Sequence, residues 1–129
     1  MSNPPEKRAR ILIVDDETVI CSLIQRMLSG TYELTLAGSL EESMEKIQTH
    51  DFDLLLTDLR LPDGDGMEIV KHFKAKRPQA PVLVMTGSLT PEERLAQIPL
   101  NGIRQCIQKP FEVAVLQQAI RDALEVLRV

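Results

Sequence analysis

The chain has 129 residues, a length that fits one ordinary domain and argues against a two-domain enzyme. Apolar residues make up 43% and charged residues 26% of the chain, proportions typical of a folded globular protein rather than a disordered one. The net charge of −4 and the aromatic content of 3% argue against a direct nucleic-acid partner, because nucleic-acid surfaces concentrate Lys, Arg and stacking rings.

The N-terminal residues 1–9 are polar and are predicted to form a loose tail ahead of a single domain over residues 10–129. They lack the apolar stretch of a signal peptide, and no apolar run approaches the roughly 20 residues that a membrane span needs. Cys21 and Cys106 lie far apart and outside any metal-ligand spacing, which favours a reducing compartment over a disulfide framework. We therefore expect a soluble cytoplasmic protein with no membrane partner.

Short apolar runs occur at intervals along the chain. Residues 11–14, 54–57, 82–85 and, more weakly, 106–107 are apolar without alternation and are bounded by polar residues or Pro. Such runs are typical of strands buried on both faces of a parallel sheet. A fifth run, over residues 32–37, alternates and is typical of an edge strand.

Helical patterns separate these runs. Apolar residues at helical spacing predict three helices between the first four strands and a last helix near the C-terminus. The residues in these stripes are Ile20, Leu23, Ile24, Met27, Leu40, Met44, Ile47, Val70, Phe73, Leu116, Ala119, Ile120, Ala123, Leu124 and Leu127.

Residues that favour helix ends agree with this pattern. Gly30 can end the first helix, and Ser39 and Asp65 can cap the second and third. Pro91, followed by two glutamates, suits the start of a short helix between residues 88 and 102. The alternation of strand and helix implies an α/β fold with a doubly wound sheet and helices on both faces.

Polar residues follow the predicted strands where each one ends. Asp15 and Asp16 follow the first strand, Asp58 the third, Thr86 the fourth and Lys109 the fifth. Ligands of open α/β sheets bind outside the carboxyl ends of the strands, so we expect these side chains on one rim. Three clustered carboxylates repel one another unless a cation offsets them, which favours a bound metal with Lys109 as a further counter-charge. An all-oxygen site that is open to water suits Mg²⁺.

Four segments together resemble the receiver domain of bacterial two-component response regulators. They are residues 12–17 (LIVDDE), 55–66 (LLTDLRLPDGDG), 82–87 (VLVMTG) and 109–111 (KPF). The match runs from about Arg10 to Leu127 and covers nearly the whole chain. The resemblance implies a flavodoxin-like (βα)5 fold with strand order 2-1-3-4-5, in which residues 10–129 form the receiver (response regulatory) domain.

The resemblance also implies a phosphoprotein of phosphorelay signal transduction rather than an enzyme. Asp58 would accept a phosphoryl group from the phosphohistidine of a sensor histidine kinase or a histidine phosphotransfer protein. The phosphoacceptor would support its own phosphorylation and a slow autodephosphorylation. Phosphorylation would alter a protein-interaction surface for a downstream protein or output domain that the sequence does not name.

By the same resemblance, each site residue has a role. Asp16 and Asp58 would bind Mg²⁺ directly, Asp15 mainly through water, and the backbone carbonyl of Arg60 would complete the protein ligands. The metal and Lys109 would neutralise charge during in-line transfer. The Thr86 hydroxyl would hydrogen-bond a phosphoryl oxygen after transfer. The bond between Lys109 and its following proline is expected to be cis.

One position departs from the family pattern. Cys106 stands three residues before Lys109, where the family usually has a Tyr or Phe whose ring moves inward. A cysteine cannot reproduce that movement, so we expect any rearrangement on phosphorylation to concentrate in residues 86–102.

Three other interpretations of the sequence are open, and each requires particular residues at the site. A phosphohydrolase of the haloacid dehalogenase type needs a second Asp two residues after the nucleophile, and Arg60 occupies that place. A flavodoxin-like flavin carrier must cradle a phosphate in its first loop, where residues 15–17 (DDE) would repel it. An unphosphorylated receiver-like interaction module would not need the complete set of acids, Thr86 and Lys109.

Overall fold

The computed structural model describes residues 8–87 and 103–126 of the chain. The strands are β1 (Arg10–Val14), β2 (Glu33–Ala37), β3 (Leu54–Asp58), β4 (Arg60–Leu61), β5 (Gly64–Asp65), β6 (Val82–Thr86) and β7 (Ile103–Gln108). The helices are α1 (Thr18–Leu28), α2 (Leu40–Thr49), α3 (Gly66–Lys76) and α4 (Val113–Val126).

Five of these strands form a parallel sheet in the order β2-β1-β3-β6-β7. The strands β4 and β5 form a separate antiparallel ribbon directly after β3. Counted within the large sheet alone, the order is the predicted 2-1-3-4-5. The predicted doubly wound α/β fold is therefore confirmed.

Side chains along the central strands alternate between two apolar cores, because successive residues of a strand point to opposite faces. In β1, Ile11 and Ile13 pack with residues of α1 and α4, whereas Leu12 and Val14 pack with residues of α2 and α3. Every residue of β3 and β6 is buried. Burial on both faces explains why the corresponding runs in the sequence are apolar without alternation.

The last strand differs from the prediction. We predicted residues 106–107 to be buried on both faces, but β7 is longer and forms an edge of the sheet. Ile103 and Ile107 are buried, whereas Arg104 is exposed. An edge strand has a neighbour on one side only, and β7 mixes buried and exposed residues as edge strands do. The opposite edge is β2, as predicted.

The helices agree with the predicted stripes with one exception. Leu23 belongs to the predicted stripe of α1 but is 40% exposed. α1 ends at Leu28, and Gly30 lies in the turn that follows. The predicted short helix between residues 88 and 102, and Leu127 of the last stripe, lie outside the described residues. No helix in the described ranges has the length and apolar character required to cross a membrane.

The residues at the start of the described chain contact the sheet region. Residues 1–7 of the predicted tail lie outside the described residues. Arg8 donates from Nη1 to the backbone oxygen of Ser29 at 3.2 Å, at the end of α1. The backbone oxygen of Ala9 accepts from the Glu33 amide at 2.9 Å. The chain is thus tied to the domain from residue 8 onward.

The ribbon formed by β4 and β5 lies between β3 and α3 in the chain, and its turn contacts the start of α2. The Asp63 carboxylate, in the ribbon turn, accepts hydrogen bonds from the backbone amides of Leu40 at 2.7 Å and Glu41 at 3.0 Å. These bonds satisfy two N–H groups that a helix start leaves free, and they place a negative charge at the positive end of the helix. Ser39 and Asp65 cap α2 and α3, as predicted.

Gly66 allows α3 to begin in direct contact with the end of β3. A Cβ atom built on Gly66 would overlap the backbone oxygen of Asp58. The Gly66 amide also donates to the backbone oxygen of Leu59 at 2.8 Å. A larger residue at this position would therefore have to push α3 away from the backbone of Asp58.

We expect Asp63→Asn to lower the denaturation midpoint near neutral pH, because a neutral amide with one acceptor oxygen cannot replace a carboxylate that holds two N–H groups. The bonds from Leu40 and Glu41 lower the pKa of Asp63. A lowered pKa stabilises the folded state above the unfolded pKa, and the contribution is lost as the pH falls through the folded value.

Urea unfolding of both proteins, from neutral pH to the acid limit of the folded state, measures this difference. The difference in denaturation midpoint between wild type and Asp63→Asn should shrink as the pH falls. Glu45→Gln, which removes an exposed charge from α2 outside its capped start, serves as the control. A gap that stays constant across the acid range would contradict the charged cap.

Candidate functional site

The predicted site residues meet at the carboxyl edge of the sheet. Asp15 directly follows β1, Asp58 is the last residue of β3, Thr86 is the last residue of β6, and Lys109 directly follows β7. The parallel register places these strand ends side by side, since Asp58 lies opposite Met85 and the end of β6 lies opposite the end of β7. Four separated segments of the sequence thus contribute to one rim, as predicted.

Three carboxylates form the centre of the site. Asp15, Asp16 and Asp58 each offer an oxygen, and these oxygens all lie within 4.8 Å of one another. Asp15 and Asp58 are buried, with 1% and 7% of their surface exposed, whereas Asp16 is exposed. Burial raises the pKa of Asp15, and the nearby Asp58 charge adds to this while Lys109 opposes it. The exposed Asp16 thus places a carboxylate of this cluster on its solvent-facing side, where a cation could bind.

The Lys109 ammonium is bonded to three carboxylates. Its Nζ donates to Asp15 Oδ2 at 2.6 Å, to Asp58 Oδ2 at 2.8 Å and to Glu17 Oε1 at 2.8 Å. Burial by itself would lower the pKa of Lys109, but the hydrogen bonds to the three carboxylates outweigh it and raise the pKa above its usual range. Lys109 is therefore a fixed positive charge within the acidic cluster.

Neighbouring groups fix the position of Asp15. Its Oδ1 accepts from the Glu17 amide at 2.8 Å, and its backbone oxygen accepts from the Cys21 thiol at 3.2 Å. Burial raises the pKa of Cys21, and the Asp15 charge adds to the effect, so the thiol keeps the proton that it donates. Asp15 is thus held through its side chain and its backbone.

Asp58 is held in a similar way. Its Oδ1 accepts from the Arg60 amide at 3.2 Å, and its backbone oxygen accepts from the Thr57 hydroxyl at 2.8 Å. The close approach of Gly66 confines the same backbone from the side of α3. These contacts leave the carboxylate at the strand end with little freedom to turn.

Thr86 and Lys109 are joined through their backbones. The Lys109 amide donates to the Thr86 oxygen at 2.9 Å, and Thr86 is 2% exposed. The bond between Lys109 and Pro110 is cis, as predicted. The segment after Gly87, in which we expected most of the rearrangement on phosphorylation, lies outside the described residues.

The structure adds three residues that were absent from the predicted site. Glu17 bonds Lys109, Cys21 supports Asp15, and Thr57 supports Asp58. Glu17 was noticed in the sequence only for its charge beside the paired aspartates. Cys21 and Thr57 act through backbone oxygens, and such contacts leave no signal in sequence spacing.

Cys106, the position that departs from the family pattern, lies within β7. It pairs with Val84 of β6 and is half-buried against the core that contains α2 and α3. A small side chain at this place fills part of the edge of that core.

The chain resembles known proteins over most of its length. The family model described as "Response regulator receiver domain" matches residues 11–121. The transcriptional regulatory protein ZraR of Escherichia coli is 34% identical over 115 residues, which cover 88% of this chain and 26% of that protein. The chain thus spans about a quarter of the length of the curated relatives that it matches.

Solved structures agree with this match. A CheY-like response regulator receiver domain protein from Methanospirillum hungatei superposes with a TM-score of 0.85 at 31% identity, covering 92% of this chain and 95% of that one. The solution structure of a beryllofluoride-activated NtrC4 receiver domain dimer gives a TM-score of 0.83 at 32% identity, covering 90% and 96%. These matches support the predicted phosphoacceptor and do not support the phosphohydrolase or the unphosphorylated module.

We expect Lys109→Met to destabilise the fold near neutral pH, because it leaves the carboxylates of Asp15 and Asp58 buried without their cation. Removing one partner of a buried ion pair costs about 3–5 kcal/mol, and here the repulsion between the two acids adds to that cost. Urea unfolding at low ionic strength measures the loss. Lys71→Met, which removes an exposed lysine on α3, is the control. Equal stability of both variants would show that Lys109 does not stabilise the buried carboxylates.

Proposed function

The chain belongs to the response regulator receiver domain family, and we propose that Asp58 is the residue that accepts the phosphoryl group in this chain. The observation that carries the proposal is the position of Asp58 among the acids. Its side chain keeps 10% exposure and bonds Lys109, whereas the Asp15 side chain has no exposed surface. A donor that approaches from solvent can therefore reach Asp58 beside the cation but cannot reach Asp15.

Mg²⁺ fits the donor set of this site. Asp16 and Asp58 would bind the ion directly, Asp15 through water, and the backbone carbonyl of Arg60 would complete the protein ligands. All the side-chain donors are carboxylate oxygens, and the exposure of Asp16 leaves room for the water ligands that Mg²⁺ retains. The bound ion would supply positive charge that lets an anionic carboxylate and an anionic phosphoryl group approach each other.

The transfer itself requires positioning more than covalent chemistry. An oxygen of Asp58 attacks phosphorus in line, the bond from phosphorus to the donor's histidine nitrogen breaks, and an acyl phosphate remains on Asp58. The Lys109 ammonium then neutralises a phosphoryl oxygen, and the Thr86 hydroxyl donates to another. Later attack by water on phosphorus releases phosphate and restores the carboxylate, which constitutes slow autodephosphorylation.

The donor is a protein with a phosphorylated histidine, either a sensor histidine kinase or a histidine phosphotransfer protein. Such a donor has to cover the mouth of the pocket, where α1 begins. Val19, in the first turn of α1, is 78% exposed, so a protein donor would gain apolar contact there. The phosphorylated domain, residues 10–129, would act on a downstream protein or output domain.

Asp58→Asn should abolish labelling by isotopically labelled acetyl phosphate with Mg²⁺, because the amide cannot form an acyl phosphate. In the wild type, the label should be released by hydroxylamine, which cleaves acyl phosphates. Asp65→Asn changes a helix cap in the same loop and should leave labelling intact. Undiminished labelling of Asp58→Asn would place the phosphoryl group on another residue.

Asp16→Ala should weaken Mg²⁺ binding by at least about tenfold, because the loss of one direct ligand from an open site leaves the hydrated ion with too few protein contacts. Titration of the amide spectrum with Mg²⁺ measures this affinity. Asp63→Ala, which removes an acid from outside the cluster, serves as the control. Equal affinity of Asp16→Ala and wild type would exclude Asp16 as a ligand.

A further inference from the structure

In the unphosphorylated site, all three donors of Lys109 are in use. An ammonium has three N–H donors, and Lys109 directs them to Asp15, Asp58 and Glu17. Phosphorylation removes the charge of the Asp58 carboxylate and so frees the donor that Asp58 holds for one phosphoryl oxygen. A second donor becomes available to the phosphoryl group only if Asp15 or Glu17 gives one up, and these two partners differ in how easily they can be released.

Of these two partners, Glu17 costs less to release. The Asp15 side chain has no exposed surface, and its second oxygen is already bonded to the Glu17 amide. A carboxylate at this position that lost its cation would have no bulk water to solvate it. The Glu17 side chain is 57% exposed, so water can solvate its carboxylate once Lys109 leaves.

The position of Glu17 in the chain gives a second, independent observation. Glu17 is the N-cap residue of α1, and its side chain makes no cap hydrogen bond, as expected for a position that favours the shorter Ser, Thr, Asp and Asn side chains. The carboxylate contacts Lys109 instead. Because the Glu17 amide is bonded to Asp15, the residue is held in place for that contact.

We propose that Glu17 is a positioning residue that holds Lys109 in the unphosphorylated state and competes with the phosphoryl group for a second donor of this lysine. Phosphorylation of Asp58 transfers the donor of Asp58 to one phosphoryl oxygen and the donor of Glu17 to another. Glu17 thereby lowers the affinity of the site for phosphoryl groups and their analogues. The inference rests on the proposed phosphoacceptor role of Asp58.

Beryllofluoride, a phosphoryl analogue, tests this role through its affinity at saturating Mg²⁺, measured by amide NMR titration. Glu17→Gln removes the charge of the competing group. Glu17→Asp keeps the charge but shortens the side chain, and an aspartate at an N-cap position bonds the helix amides rather than Lys109. Glu68→Gln removes the same unit of charge from the first turn of α3 and controls for net charge.

Both Glu17 variants should bind beryllofluoride about two- to fivefold more tightly than wild type, the range expected for release of a largely exposed ion pair. Acetyl phosphate should also label both variants faster. Glu68→Gln should behave as wild type.

Three results would overturn the inference. If Glu17→Gln bound beryllofluoride more tightly but Glu17→Asp did not, Glu17 would act only by repelling the anion and not by holding Lys109. Unchanged affinity in both variants would show that Glu17 does not compete with the phosphoryl group for Lys109. Weaker affinity would show that Glu17 helps the site to bind the phosphoryl group. Failure of the proposed function has a different signature, because wild type itself would then bind no beryllofluoride at the site.

Discussion

The repulsion among acids at the carboxyl edge of the sheet is the constraint on which the site depends. Asp15, Asp16, Glu17 and Asp58 stand close together there, and Lys109 is the cation that bonds three of them. Without that cation, two buried carboxylates would carry the full cost of desolvation and mutual repulsion. An excess of negative charge of this kind favours the Mg²⁺ ion that we propose for the site.

The parallel sheet makes this concentration of charge possible. Because β1, β3 and β6 are covered on both faces by apolar cores, their strand ends are held in fixed register and the carboxylates cannot move apart. Contacts below the pocket also hold the strand ends in place. Gly66 brings α3 against the backbone of Asp58, and Cys21 brings α1 against the backbone of Asp15. Stability supplied by the core is thus used to hold an unfavourable arrangement of charges.

The sequence predicted the fold and the main site residues because both depend on strand ends. Apolar runs locate strands, and a polar residue directly after a buried strand lies at the rim, which identified Asp58 and Lys109. The sequence did not predict contacts that join distant segments through a flexible side chain or a backbone oxygen. The Glu17 contact with Lys109 and the Asp63 cap of α2 belong to this group. The length of β7 was also missed, since an edge strand mixes apolar and polar residues and carries a weaker pattern.

The excess of acids over Lys109 in the pocket has a consequence for laboratory evolution. Substitutions that neutralise a rim carboxylate, such as a change at Asp16, relieve repulsion that the core must otherwise oppose. Selection for heat resistance alone would therefore enrich variants that have lost acidic residues at the rim, as is common when a site stores strain for function. A library of this chain needs a second selection, for phosphoryl acceptance, to retain the pocket while the scaffold improves.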